Sequence, residues 1–133
     1  MATIYKSALL CVRDRKVLFA RSAKNKDIFY LPGGKREAGE TNEAALVREI
    51  EEELAVTIDA ETIAVATTFT DHAHGKPADV MVEIVAYTAA FSGEPKPTSE
   101  IVELAWFTSR DIDSVYGVGK QAITWLHEQY LID

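Results

Sequence analysis

The 133-residue chain has a single cysteine, Cys11, so no disulfide can form within it and no cysteine-rich zinc site can be built. Cys11 stands in an apolar run, where a buried small hydrophobe is expected, not a reactive thiol. Glycine (7) and proline (4) are too scarce for a collagen-like or low-complexity chain. The longest apolar runs, residues 7–12 and 84–91, fall far short of the ~20 residues that a membrane-spanning helix needs. No charged start followed by an apolar core marks a secretory leader, so a cytoplasmic location is expected. Positive charge is in deficit: 14 Lys and Arg stand against 21 Asp and Glu, a net charge of -7. Such a surface repels phosphate backbones and anionic lipids, which argues against a nucleic-acid polymer or a membrane as partner. Apolar residues, by contrast, make up 47%, enough for one domain over residues 1–133 with its own core.

The acidity is concentrated. Residues 37–53 hold seven acids (Glu37, Glu40, Glu43, Glu49, Glu51, Glu52, Glu53) and one base, Arg48. The first 36 residues hold nine bases and two acids, Asp14 and Asp27. Repeats, linkers and low-complexity tracts are absent from the sequence.

Periodicity predicts a strand over residues 4–12, a polar turn at 14–16 and a hairpin partner over 17–21. A short apolar run, 28–31, stops at Pro32-Gly33-Gly34, which reads as a breaker. Thr41 is a good N-cap for a helix over 42–54. Strands are expected over 63–69, 80–91 and 102–107, the first two joined by a polar loop through Asp71, His72 and His74. Residues 93–97 form a turn region, Asp111 starts a short turn or helix, and 119–131 reads as a closing helix. This order suggests an α/β fold with a mixed sheet and helices packed on it.

On a helical wheel, Glu49, Glu52 and Glu53 cover an arc of about 100° at the edge of an apolar stripe made by Leu46, Val47, Ile50 and Leu54. Glu51 points elsewhere. Carboxylates three and four residues apart repel one another by a few tenths of a kcal/mol per pair. A divalent cation would remove that repulsion, and clustered glutamate oxygens suit Mg²⁺ or Mn²⁺ better than zinc. On helix geometry alone a solvated acidic face is the plainer reading.

The wider spacing is more specific. Gly34, Glu40, Arg48-Glu49-Ile50-Glu51-Glu52-Glu53-Leu54-Ala55-Val56 resembles the Nudix box, G-x5-E-x7-R-E-U-x-E-E-x-G-U, with U aliphatic. Every fixed position matches except Ala55, where the family has Gly. Alanine tolerates a positive φ less well than glycine, so the turn that ends the helix is the feature at issue. Leu31-Pro32-Gly33-Gly34 also resembles the family's entry to the box. The resemblance implies the Nudix α/β/α sandwich, with a mixed β-sheet between helices. It further implies hydrolysis of a nucleoside diphosphate linked to another group, with water attacking phosphorus and Mg²⁺, or Mn²⁺, as cofactor.

By the same resemblance, Glu49, Glu52, Glu53 and the backbone carbonyl of Gly33 coordinate the metal, Arg48 holds Glu49, and Gly34 and Glu40 support the loop–helix junction. The general base matches Glu49 in MutT-like relatives and comes from a later loop in others. Residues 99–107 resemble the family's E-x-x-E-x-x-W-F segment. Glu100 holds the position of a further metal ligand or base; Glu103, one turn-length on, could replace it or contact substrate. Trp106 and Phe107 are expected in the core. Arg21, Lys24 and Lys35 flank the approach to the box and could clamp phosphate. His72 and His74 lack a third ligand nearby and read as a polar loop or a substrate contact.

Family signatures for NADH and coenzyme A pyrophosphatases are missing, and Asp71 stands where ADP-ribose enzymes usually carry Pro. A MutT-like nucleoside triphosphate pyrophosphohydrolase is the leading reading. Hydrolysis of ADP-ribose, nucleotide sugars or dinucleoside polyphosphates, and a non-catalytic nucleotide-binding domain, stand as alternatives. An isomerase of the isopentenyl diphosphate type shares the fold, but its chemistry uses a pocket Cys. Many relatives are homodimers, and this sequence has no feature that marks a dimer surface.

Overall fold

The structure, a computed structural model, describes residues 2–73 and 75–133; His74 therefore lies outside the described residues. The elements are β1 (Ala2–Leu9), β2 (Val12–Arg13), β3 (Lys16–Ser22), β4 (Gly33–Lys35), α1 (Asn42–Leu54), β5 (Thr57–Ile58), β6 (Ala64–His72), β7 (Val80–Thr88), β8 (Phe91–Ser92), β9 (Ile101–Phe107) and α2 (Val118–Glu128). Short 3-10 helices cover Ala60–Thr62 and Ser109–Ser114.

A four-stranded sheet runs β4-β1-β7-β6 and a three-stranded one runs β2-β3-β9, with β5 and β8 pairing separately. The larger sheet is mixed: β1 and β7 are parallel, while β4 and β6 are antiparallel to their neighbours. Alternation along the strands divides the core in two. Ala8, Val17 and Phe19 pack with Val118, Ala122, Ile123 and Leu126 of α2. Leu9 and Leu18 pack with Leu46, Ile50 and Leu54 of α1. Adjacent residues of β1 and β3 thus face opposite helices, which is the mixed sheet between helices that the family resemblance implies.

Several boundaries differ from the sequence reading. The strand expected over residues 4–12 ends at Leu9, because the chain leaves one sheet there and re-enters the other at Val12. Cys11 therefore lies on the connection between them, buried as expected. Asp14 and Arg15 make the hairpin turn at φ 52 and 62, and Lys16 already belongs to β3. Gly33-Gly34 is not a breaker but part of β4, paired with Ser7 and Ala8. Gly33 is there because a Cβ would stand 2.0 Å from the Ser7 carbonyl oxygen. Asp71 and His72 end a strand and are not loop residues. The run expected over 80–91 breaks after Thr88, and Phe91–Ser92 turns away to pair with β5. The closing helix ends at Glu128, short of residue 131. Phe107 is core, edge-on to Phe29 at 5.1 Å, and Trp106 packs half-buried beneath the Arg13 guanidinium.

Candidate active site

Helix α1 spans the residues the sequence predicts. Thr41 caps it by accepting the Ala44 N–H at 3.0 Å, and Glu43 lies in the first turn, where an acid favours the helix dipole. Ala45, Leu46, Ile50 and Leu54 are buried and set the helix's rotation against the sheet. That rotation puts Glu49 and Glu53 half-buried at the sheet edge and leaves Glu51 and Glu52 exposed.

The far end of α1 is closed from elsewhere in the chain. Ala55 sits at φ 57, ψ 35, the left-handed conformation that the family's Gly suits, and its N–H reaches the Glu51 carbonyl. The last carbonyls accept from the segment before β9: Lys96 N–H to Leu54, Thr98 N–H to Glu53 at 3.1 Å, and the Thr98 hydroxyl to Glu52 at 2.6 Å.

Arg48 is the centre of the carboxylate cluster. Its Nε and Nη2 donate to the two oxygens of Glu40 at 2.8 and 3.0 Å, its Nη1 to Glu49 at 2.9 Å, and Nη2 to the Lys35 carbonyl at 3.1 Å. Glu52 lies 3.5 Å from the same Nη1. Glu40 also accepts the Glu37 N–H. The bond from Arg48, with that N–H, pulls the Glu40 carboxyl down to about 2. Glu40 thus joins the loop to the helix.

Strand β4 supplies the other wall. The Gly33 N–H donates to Glu53 at 2.8 Å. At Gly34 a Cβ would stand 2.5 Å from the Glu49 carboxyl carbon, so only glycine leaves that carboxylate its place. Burial raises the Glu53 carboxyl to about 7 against the pull of the Gly33 N–H, and Glu49 pushes it the same way. Burial likewise raises Glu49 above the usual range, against its bond to Arg48.

Among the described residues, no three acidic, His or Cys side chains converge as a ready metal cage. The donor set nevertheless fits a hard divalent cation. Glu49 and Glu52 both approach one nitrogen of Arg48, Glu49 fills the hollow over Gly34, and Glu53 is held at Gly33. These oxygens repel one another, and burial strips part of the water from Glu49 and Glu53; a cation relieves both.

The remaining sequence-predicted residues divide. Lys35 joins the cluster through its carbonyl and pairs across strands with Lys6. Arg21 and Glu103 instead bond each other at 2.6 Å on the β3–β9 pair, with Arg21 also over the Phe29 ring. Glu100 is exposed and pairs with Lys24 at 2.9 Å. No ion pair or hydrogen bond joins these four side chains to the box carboxylates among the described residues. Burial raises the Tyr30 phenol against its hydrogen bond with Ser22, and the charges of Glu53 and Glu100 add to the rise. His72, at the end of β6, bonds the Ala78 carbonyl at 3.0 Å through Nδ1.

Two site residues escape the sequence reading. Lys6 is held below the ordinary lysine range, first by loss of water and then by Lys35, while Glu53 and Glu49 pull the other way. Its signal was present: a lysine interrupts the inward row Ile4, Ala8, Leu10. Thr98 has no local signal, because its partners are 46 residues away.

The NUDIX domain family pattern matches residues 5–127. No curated protein matches the chain. Among solved structures, a MutT NUDIX hydrolase from Burkholderia pseudomallei is similar at 24% identity and a TM-score of 0.74, covering 93% of this chain and 98% of its own. A MutT protein from Methanosarcina mazei Go1 is similar at 16% identity and 0.76, covering 97% and 96%. An E. coli dihydroneopterin triphosphate pyrophosphohydrolase is similar at 19% identity and 0.73, covering 91% and 92%. At these identities the likeness is one of fold.

Proposed function

The chain belongs to the Nudix family, a family of hydrolases, and from that premise we propose that it cleaves a nucleoside triphosphate to the monophosphate and pyrophosphate. The observation that carries the reading is the box carboxylate cluster, intact and organised by Arg48 against β4. Glu49, Glu52, Glu53 and the Gly33 carbonyl would hold Mg²⁺, or Mn²⁺ in its place. The ion would neutralise the diphosphate and activate water for in-line attack.

The chain's own groups do the rest. Arg48 orients Glu49 and, through Glu40, fixes the loop that leads into α1. Lys6 and Lys35 face each other across β1 and β4, a like-charge pair that an incoming phosphate would relieve. Glu49 is the proposed base. Glu100 is the second candidate, and its bond to Lys24 would have to open first. MutT and dihydroneopterin triphosphate enzymes share this fold, which is consistent with a triphosphate substrate.

The test is turnover of a panel of triphosphates, ADP-ribose and nucleotide sugars with Mg²⁺, with products separated by chromatography. Monophosphate plus pyrophosphate is the expected pair. Glu52→Gln should lower kcat by at least ~100-fold, more than an outer-shell change, with the fold intact. Undiminished turnover in that variant overturns the metal-site assignment, and activity confined to ADP-ribose or a sugar nucleotide overturns the substrate.

A further inference from the structure

The register of the four-stranded sheet places Lys35, Lys6, Ile84 and Phe69 in one row across β4-β1-β7-β6, and Ile4, Val82 and Asp71 in the next. Residues in register share a face, and this is the α2 face, because Ile4, Val82, Ile84 and Phe69 all belong to its core. At the β4 edge the face adjoins the box carboxylates through Gly33 and Gly34. At the β6 edge, three strand spacings or ~14 Å away, it ends at Asp71. Ile4 and Ile84, each half-buried, leave an apolar strip between the two ends. A carboxylate at the end of a core-facing row calls for a reason.

Gln121 of α2 fixes that carboxylate. Its Nε2 donates to the Thr70 carbonyl at 2.9 Å and to Asp71 Oδ2 at 3.2 Å, and the His72 N–H donates to Asp71 Oδ1 at 2.7 Å. Both partners of the amide nitrogen only accept, so the amide's orientation is determined and its Oε1 turns away from them. Gly117 keeps the start of α2 close, since a Cβ there would stand 3.3 Å from Asp71 Oδ2. What the pair offers a ligand is acceptors: the remaining lone pairs of the Asp71 carboxylate and the Gln121 Oε1.

We propose that Asp71, locked by Gln121, sets base specificity by accepting from a heterocycle edge with two adjacent N–H donors, a ring N–H beside an exocyclic amino group. The inference rests on the nucleotide-hydrolase reading above for the other end of the row. Guanine carries such an edge, and so does a 2-amino-4-oxopteridine. Adenine and cytosine set a bare ring nitrogen beside the amino group, whose lone pair opposes the carboxylate. Hypoxanthine keeps the ring N–H and lacks the amino group.

The test compares kcat/KM of the native protein and Asp71→Asn on GTP, ITP, ATP, CTP, UTP and dihydroneopterin triphosphate with Mg²⁺. Binding of GMP, IMP and UMP is followed in parallel by the fluorescence of Trp125, which packs edge-on to Phe69. The native protein should prefer GTP or the pterin over ITP, and whichever wins identifies the source of the edge. Asp71→Asn should shrink the GTP-to-UTP ratio ~10–100-fold, mainly through KM. Should that variant not fold, Gln121→Met should weaken the same preference. Equal use of GTP and ITP by the native protein, or an equal loss on all substrates in the variant, overturns the proposal. Turnover without base preference leaves hydrolysis standing and this inference fallen. GMP selectivity without turnover on any substrate does the reverse.

Discussion

Arg48 reaches four carboxylates, those of Glu37, Glu40, Glu49 and Glu52, from one guanidinium. Its strongest hold is on Glu40, whose carboxyl lies at about 2. A carboxyl depressed on folding adds stability above its unfolded value of ~4.3 and loses it as pH falls through the folded one. Glu40→Gln should therefore be less stable than the native protein at neutral pH, and the two curves should converge between pH 4.5 and 2 in acid-denaturation scans. An unchanged difference across that window would sever Glu40 from acid stability. Ala55 carries the opposite sign. It holds a left-handed φ of 57 that penalises a Cβ. Ala55→Gly should stabilise the protein by about 1 kcal/mol, read as a rise in Tm of several degrees. That departure from the family pattern is legible in the sequence. Its consequence, a strained residue at the helix end, depends on the chain turning there.

Helix α1 is stabilised at its two ends by different means. Its start is local: Thr41 lies three residues from the N–H it accepts. Its end is distant: Lys96 and Thr98 supply the donors for Leu54, Glu53 and Glu52. The same segment leads to Glu100, so the cap also fixes where β9 begins relative to the box. Thr98→Val keeps the branched shape and removes the hydroxyl. It should lower stability by about 1 kcal/mol in urea titration, without a change in m. A loss near zero would mean that water replaces the hydroxyl at Glu52. Strand β4 is the other element decided at a distance. As a sequence, Pro-Gly-Gly reads as a stop. In the fold, Gly33 is the only residue type that lets β4 approach Ser7, and its N–H then meets Glu53.

Across the whole molecule, the two cores share strands, so they are expected to open together. Cys11 reports this. It is buried in the α1 core, and burial lifts its thiol to about 11. At pH 8 a disulfide reagent should leave it unmodified in the native state and modify it with the same denaturant midpoint as the loss of helix signal. Reaction well before that midpoint would reveal local opening at the β1–β2 connection. The chain by itself determined the span of α1, its cap and the acidic face, because helix spacing and capping act over three or four residues. It also determined the family, because the box is a pattern of local separations. Tertiary structure alone decided that Lys6 stands at the carboxylates, that Arg21 and Glu100 pair with Glu103 and Lys24, and that Asp71 meets Gln121. Those placements follow from strand register and helix docking. They join residues far apart in the chain, 82 positions for Arg21 and Glu103 and 50 for Gln121 and Asp71, and no local spacing encodes them.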